Sequence, residues 1–542
     1  MSKNLWYKDA IIYTLAIESF KDSNADGSGD FRGLQQSLNY FRILGIDCLW
    51  LLPFYDSPNK DDGYDIRNYY EVDKRFGDMG DFAELIDAIK AAGLRVIIDL
   101  VVNHTSKEHP WFLEAAKNPQ SPYRNYYIWS NEKPEESGNK AILAEEQEYT
   151  NWTYNKEAEA FYYHTFYNDQ PDLNMTNPTV VEEVKKIIRF WLKFGVDGFR
   201  IDAAPHMIEE KGNYKFKGDP HDIFREWRMY IKELNPDAAF IAEVDVPPSR
   251  YTDFLEHNRQ MHMLFNFYLN NYFFLAFARE EAEPIAKALQ KIPLLSEEEH
   301  LVNFLRNHDE LDLEQLKEEE RQEVFAAFAP DENMRIFNRG IRRRLPPMFE
   351  NNRQRLALAY SILFSLPGTP VIRYGQEIGM GDDLQKEGRK SVRTLMQWSA
   401  DKNGGFSDVM EGAIDEDIIA KGPYGYKKVN VNHQLKDDTS LLNTIRKLIQ
   451  ARKNMGFRRG KFTVLPTSSK HCLAYRYELD KGNVLILHNL SNKPITISLK
   501  SDLPERYYTV VSDKKYGNNT NNKQRIDLNP YGYRWLIDNW IF

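Results

Sequence analysis

Short apolar runs rich in β-branched residues alternate with stretches of helical periodicity over roughly the first 380 positions. The runs lie at residues 10–17, 46–52, 95–102, 198–202, 239–243, 261–267, 301–305 and 369–374, eight in all. Segments with apolar residues three and four apart fill the gaps, most clearly at 34–44, 81–92, 180–194, 223–234 and 353–364. Alternating strands and helices predict a parallel sheet, and eight units of this size predict an α/β fold closed into a (β/α)8 TIM barrel.

Two intervals are too long for simple crossovers. Residues 103–176, rich in Trp, Tyr, Asn and Pro, read as a lobe inserted after strand three. Residues 310–352, dense in Glu and Arg, read as a helical excursion that caps the barrel mouth after strand seven. From about Gly460 the period changes to two, as at 472–478 and 483–490, which predicts a C-terminal antiparallel β-sandwich domain. The expected division is a barrel of 1–102 and 177–455, a lobe of 103–176 and a β domain of 456–542.

A chain of 542 residues with 42% hydrophobic positions can bury a large core. Its formal charge of −9 argues against nucleic acid or an acidic membrane surface as partner and suits a neutral small molecule. Cys48 and Cys472 fall in different expected domains, so no disulfide is predicted. With a charged N-terminus and no long apolar run, the expectation is a cytoplasmic enzyme. No phosphate-binding glycine motif occurs, so no organic cofactor is expected.

Working groups of such a barrel sit at the C-terminal ends of its strands. Four ends here are polar: Asp99 to His104, Gly198 to Asp202, Ile241 to Val244, and Arg306 to Glu310. A single strand-end acid is more often a loop cap or an ion pair. Three carboxylates and two histidines around one mouth bring repulsion that points to a task. Glycosidic bond cleavage needs such a set. Arg200 lies two residues before Asp202, so both face inward and Asp202 is kept ionised as a nucleophile. Glu243 follows an apolar Phe-Ile-Ala run, where desolvation raises its pKa and suits it to acid/base work. Asp309, beside His308, is placed to bind sugar hydroxyls and favour a distorted ring.

The segments Asp99-x-x-x-Asn103-His104, Gly198-Phe199-Arg200-x-Asp202, Glu243 and Asn307-His308-Asp309 resemble, in order, the signature regions of glycoside hydrolase family 13, the α-amylase superfamily. The resemblance implies double displacement with retention, the same three carboxylates, and His104, Arg200 and His308 as sugar-binding groups. It also implies that Asp61 and Tyr64 grip and stack on the glucose in the cleavage subsite and that Arg393 completes that pocket. Phe166 and residues 170–174 look like the branch that attacks short oligosaccharides from the non-reducing end. Ala203 stands where relatives preferring α-1,6 bonds carry Val, which weighs against such substrates.

Asp22-x-Asn24-x-Asp26-Gly27-Ser28-Gly29-Asp30 spaces hard oxygen ligands at alternate positions, without the Glu and helical flanks of an EF-hand. The plain alternative is an Asx-rich loop without an ion. Relatives hold structural Ca2+ or Mg2+ at this loop. The resemblance implies a second Ca2+ site from side chains of Asn103, Asp172 and Glu209 with carbonyls of His206 and Met207.

The chain is most similar to the trehalose-synthase branch, which interconverts maltose and trehalose by moving glucose between acceptor hydroxyls. Trp6 to Ala10, Leu51 to Tyr55, His109 to Phe112, Asn307 to Leu311 and Gly340 to Leu345 carry this resemblance. It implies a lid that excludes water, with Glu310 and Arg393 as candidate gate residues. Departures cluster where the acceptor should bind: Val244-Asp245-Val246-Pro247 replaces Asn-Gln-Trp-Pro, and Gly388-Arg389-Lys390-Ser391 replaces an Asp-Arg-Asp-Gly-like loop. Gln376 and Asn266 stand where Asp and His are usual. The alternatives are an α-glucosidase hydrolysing α-1,4- or α-1,1-linked glucosides, an endo-amylase, and a non-catalytic, membrane-anchored transporter-associated barrel. Oligomeric state is open, a homo-oligomer included.

Overall fold

The computed structural model describes residues 5–134, 150–410, 412–414, 417–480, 482–499, 507–516 and 525–538. Eight parallel strands close into a barrel: β1 (Ile12–Leu15), β2 (Cys48–Leu51), β3 (Arg95–Leu100), β4 (Gly198–Ile201), β5 (Ala239–Ala242), β6 (Met263–Phe265), β7 (His300–Phe304) and β8 (Thr369–Arg373). Each strand pairs with its sequence neighbours, and β8 closes on β1. These are the eight runs read from the sequence.

Strand parity explains both the core and the site. Ile12, Cys48, Trp50, Ile97, Ala239, Ile241, Met263, Phe265, Val302, Phe304 and Val371 form one apolar cluster, which fills the barrel. The intervening residues, such as Leu49, Val96, Ile98, Phe199, Phe240 and Leu264, belong to a second cluster shared with the surrounding helices. Asp99, Arg200, Asp202 and Glu243 continue the inward-facing rows past the apolar layer, so the strands deliver them to one mouth.

The helix Pro178–Phe194 shows why the local sequence folds as read. Asn177 caps it by accepting from the Thr179 amide, Pro178 opens it, and Gly195 ends it at φ +103°, a left-handed turn that favours glycine. Val180, Val184, Ile187, Ile188 and Trp191 form its buried stripe. The single helix expected at 34–44 is instead two, Phe31–Gln36 and Leu38–Leu44. Ser37 divides them, its hydroxyl donating to the Gly33 carbonyl at 2.9 Å. The excursion after β7 is helical at Glu318–Phe328 and, for single turns, at Glu332–Met334 and Leu345–Met348; the rest includes a small three-stranded sheet of Leu311–Asp312, Arg335–Ile336 and Gly340–Ile341.

The C-terminal part is an antiparallel five-stranded sheet, β9 (Lys461–Leu465), β10 (Cys472–Leu479), β11 (Gly482–Asn489), β12 (Tyr508–Ser512) and β13 (Tyr533–Ile537), with a two-stranded sheet beside it. Cys472, Ala474, Leu485 and Leu487 face the small sheet, while Leu473, Tyr475, Tyr477, Val484 and Ile486 join the barrel's core. Tyr477 donates to the Ser365 carbonyl at 2.8 Å and Trp535 to Ser361 at 2.9 Å, tying the sheet to the barrel helix Arg353–Ser365. Cys48 and Cys472 are buried free thiols. Among the described residues no helix is long and apolar enough to cross a membrane.

Candidate active site

Arg200 organises the mouth. It is 2% exposed, and one guanidinium nitrogen donates to Asp99 at 2.5 Å and also to Asp202. The other lies 2.7 Å from Glu243 Oε1. Three carboxylates from adjacent strands therefore share one cation. Trp50 donates its indole N–H to the remaining Asp99 oxygen at 2.8 Å, which fixes Asp99 as a support for Arg200.

Burial pushes the Asp202 carboxyl up to about 6; Arg200 pulls against this, while Asp99 and Asp309 add to it. Burial likewise lifts Glu243 to about 7, again opposed by Arg200 and helped by Asp202 and Asp309. The two groups thus differ in the sense acid–base work needs: between these values Asp202 is ionised and Glu243 holds its proton. Ala203 follows Asp202 with φ +48°, and this left-handed turn aims its amide at Glu243 Oε2, 3.1 Å away.

Asp309 has the opposite environment. Burial alone would raise it, but His308, Arg389, Arg393 and Arg200 together hold it well below the usual carboxylate range. Arg389 reaches its Oδ1 at 2.6 Å and Arg393 at 2.9 Å. His308 Nε2 lies 3.0 Å from its Oδ2 and 2.6 Å from the Tyr64 hydroxyl. The Tyr64 and His308 rings stack at 5.6 Å, while the His104 ring nitrogen meets the Tyr64 carbonyl at 3.2 Å.

A cleft of about 510 Å3 gathers Asp61, Tyr64, His104, Phe166, Asp202, Glu243, Asp309 and Glu310. Arg200 and His308 bond its wall from behind. Arg393 stands behind Asp309, bonded to Asp62 and to the His308 carbonyl at 2.9 Å. It forms no ion pair with Glu310 among the described residues; Arg339 lies 3.8 Å from Glu310 instead. The gate expected between Glu310 and Arg393 is therefore not assembled, because Arg393 is already committed to Asp62 and Asp309.

Sequence reasoning missed Arg389, which it read only as part of a divergent loop. Arg389 links Asp309 to Asp61, 3.2 Å away, and Gln170 donates to the other Asp61 oxygen at 2.8 Å. Asp61, Gln170 and Arg389 also line a second cavity of about 790 Å3, so they form a partition between it and the cleft.

The candidate metal residues divide. In the first loop, Asp22 accepts from the amides of Asn24, Ala25 and Gly27, and Asp30 from those of Ser23 and Gly33. Asn24 donates to Asp26 at 3.0 Å, and the Asp26 carboxylate also accepts from the Ser28 amide at 2.8 Å. The oxygen-rich donor set suits Ca2+ or Mg2+, in an arrangement that also closes as Asx turns. The second set does not suit an ion. The Lys211 ammonium, 5% exposed, donates to Asn103 at 2.8 Å and to Asp172 at 2.6 Å, in the place expected for Ca2+. Glu209 pairs instead with His206 at 3.1 Å, and nothing in the geometry draws on the Met207 carbonyl. A fixed cation already neutralises Asp172, and a second one there would be repelled.

Residues 12–460 match the family model described as alpha amylase, catalytic domain, and residues 482–537 match one described as sucrose hydrolase-like, C-terminal domain. The chain is 41% identical over 509 residues to a trehalose synthase/amylase TreS of Mycolicibacterium smegmatis, across 91% of this chain and 86% of that protein. It is 40% identical over 539 residues to a trehalose synthase of Thermus thermophilus, across 98% of this chain and 55% of that protein. The crystal structure of an α-amylase from H. orenii superposes with a TM-score of 0.78 at 28% identity, covering 98% of this chain and 99% of that one.

Proposed function

The chain belongs to the α-amylase family, and on that footing we propose that it transfers α-glucosyl units on short α-glucosides with retention, chiefly interconverting maltose and trehalose. The observation that carries this is one guanidinium, Arg200, holding Asp202 and Glu243 side by side in the cleft at the barrel mouth. Asp202 attacks the anomeric carbon while Glu243 protonates the departing oxygen. The glycosidic C–O bond breaks and an ester to Asp202 forms. The released sugar turns, presents another hydroxyl to the same carbon, and returns its proton to Glu243 as the ester breaks. Asp309, His308, His104 and Tyr64 bind the transferred glucose. The partition of Asp61, Gln170 and Arg389 ends the pocket behind it, which favours disaccharides and short oligosaccharides.

Hydrolysis is the second reading, favoured by the acidic residues at the acceptor end, where Asp245 stands in a segment that departs from the trehalose-synthase pattern. Incubation with maltose separates the two: trehalose should exceed free glucose at early times, and predominantly free glucose would sink the isomerase reading. Asp202→Asn should abolish both products; near-normal turnover would remove Asp202 from its role.

Ca2+ or Mg2+ at the loop of Asp22, Asn24, Asp26, Ser28 and Asp30 would stiffen the first barrel loop and take no part in the chemistry. Chelation should then lower the melting temperature without changing product ratio. Two buried free thiols suit a reducing compartment, and the cytoplasm is the setting we assign.

A further inference from the structure

The acceptor end of the cleft is more acidic than handling a neutral sugar requires. Asp245, Glu310, Asp312 and Glu314 line it, faced by Arg250 and Arg339. Asp245, Asp312 and Glu314 each bring a carboxylate oxygen within 4.8 Å of the others. Arg250 is engaged by Asp253 at 3.2 Å. Arg339 is shared: 2.7 Å from Asp312 and 3.8 Å from both Glu310 and Glu314. Arg389, whose charge also acts on Glu310, is bonded to Asp309 and Asp61, so Asp245, Asp312 and Glu314 are left facing Arg339. Glu310 is 8% exposed, and its Oε2 has no hydrogen-bond partner. Burial, Asp312 and Glu314 hold the Asp245 carboxyl well above its usual range, and burial lifts Glu310 to about 7. Such a site is missing a positive charge.

We infer that this patch is a cation subsite, and that the acceptor or leaving sugar it takes is an amino sugar carrying a protonated amine. The inference rests on the glucosyl-transfer reading. A divalent metal suits the patch less well, because it asks for six to eight oxygen ligands. Here Gln315 already donates to Asp245 at 2.8 Å, and Arg339 to Asp312. A primary ammonium offers three N–H donors, the number of carboxylates that converge. The ammonium stays protonated and takes no part in bond exchange. A hydroxyl of the same sugar attacks the anomeric carbon, the ester to Asp202 breaks, and the hydroxyl proton passes to Glu243.

The test uses the full chain with maltose as donor and glucose or glucosamine at equal concentration, at neutral pH. Initial rates of each transfer product are measured, with glucose release from maltose followed separately. Transfer to glucosamine should be favoured about tenfold, with the preference shrinking at 1 M salt. It should fall in Glu314→Gln, a change at an exposed position, and vanish in Asp245→Asn/Asp312→Asn. Cleavage of maltose with no preference for the amino sugar overturns this inference alone. Absence of cleavage with every acceptor overturns the glucosyl-transfer reading itself. Calcium binding that is lost in Asp245→Asn/Asp312→Asn and not displaced by glucosamine makes the patch a metal site and also overturns the inference.

Discussion

Lys211 donates to Asp172 at 2.6 Å, and both side chains are buried. An ammonium on the chain itself joins Asn103, just past β3, to Asp172, shortly before the helix Pro178–Phe194. Lys211→Met should therefore leave Asp172 charged and unpaired and cost about 3–5 kcal/mol of unfolding free energy. Urea denaturation of the variant against the wild type checks this, and a loss below about 1 kcal/mol would contradict it.

The carboxyls of Asp202 and Glu243 set the pH response. Activity requires ionised Asp202, raised to about 6, and protonated Glu243, raised to about 7. A narrow bell in kcat/KM is expected with flanks near those values, as properties of the interacting pair. Glu243→Gln should remove the alkaline flank and lower turnover on maltose by about 10²–10⁴-fold, with a smaller loss on a substrate whose leaving group needs no proton.

The same shift has a sign in stability. The folded-state value for Glu243 lies above that of an unfolded chain, so its contribution is fully present below about pH 4 and lost as pH rises through about 7. Replacing Glu243 by Gln should then raise the melting temperature more at pH 8 than at pH 5. Scanning calorimetry at both values checks the order.

Arg389 ties the partition together through Asp61 and Asp309. Arg389→Ala should join the cleft to the 790 Å3 cavity behind it and release Asp61 and Asp309 from their shared cation. The ratio of kcat/KM on maltotriose to that on maltose should rise about tenfold. An unchanged ratio would show that the partition does not limit substrate length.

The barrel was legible because its signal is local and repeated: each inward row, such as Ile97 and Asp99 or Ile241 and Glu243, is fixed by parity along one strand. The same parity placed Asp202 beside Arg200. What remained hidden depends on loops that meet only in space. Nothing in the sequence distinguishes Lys211 from a surface lysine, since its partners Asn103 and Asp172 lie far from it along the chain. Arg389 and Arg393 are four residues apart in one segment, and sequence alone could not tell which would reach Asp61. Ser37, polar and placed mid-helix, was the visible clue to the break that the periodicity concealed.

Ala203 sits in a left-handed turn, a conformation that costs an L-residue roughly 1–2 kcal/mol, and from there its N–H meets Glu243. Its methyl group also lines the cleft next to Asp202. A bulkier branched side chain at this point would narrow the room around the scissile linkage and deepen the backbone strain in the same stroke. The space beside Asp202 and the thermal endurance of the fold are therefore coupled at this one small residue.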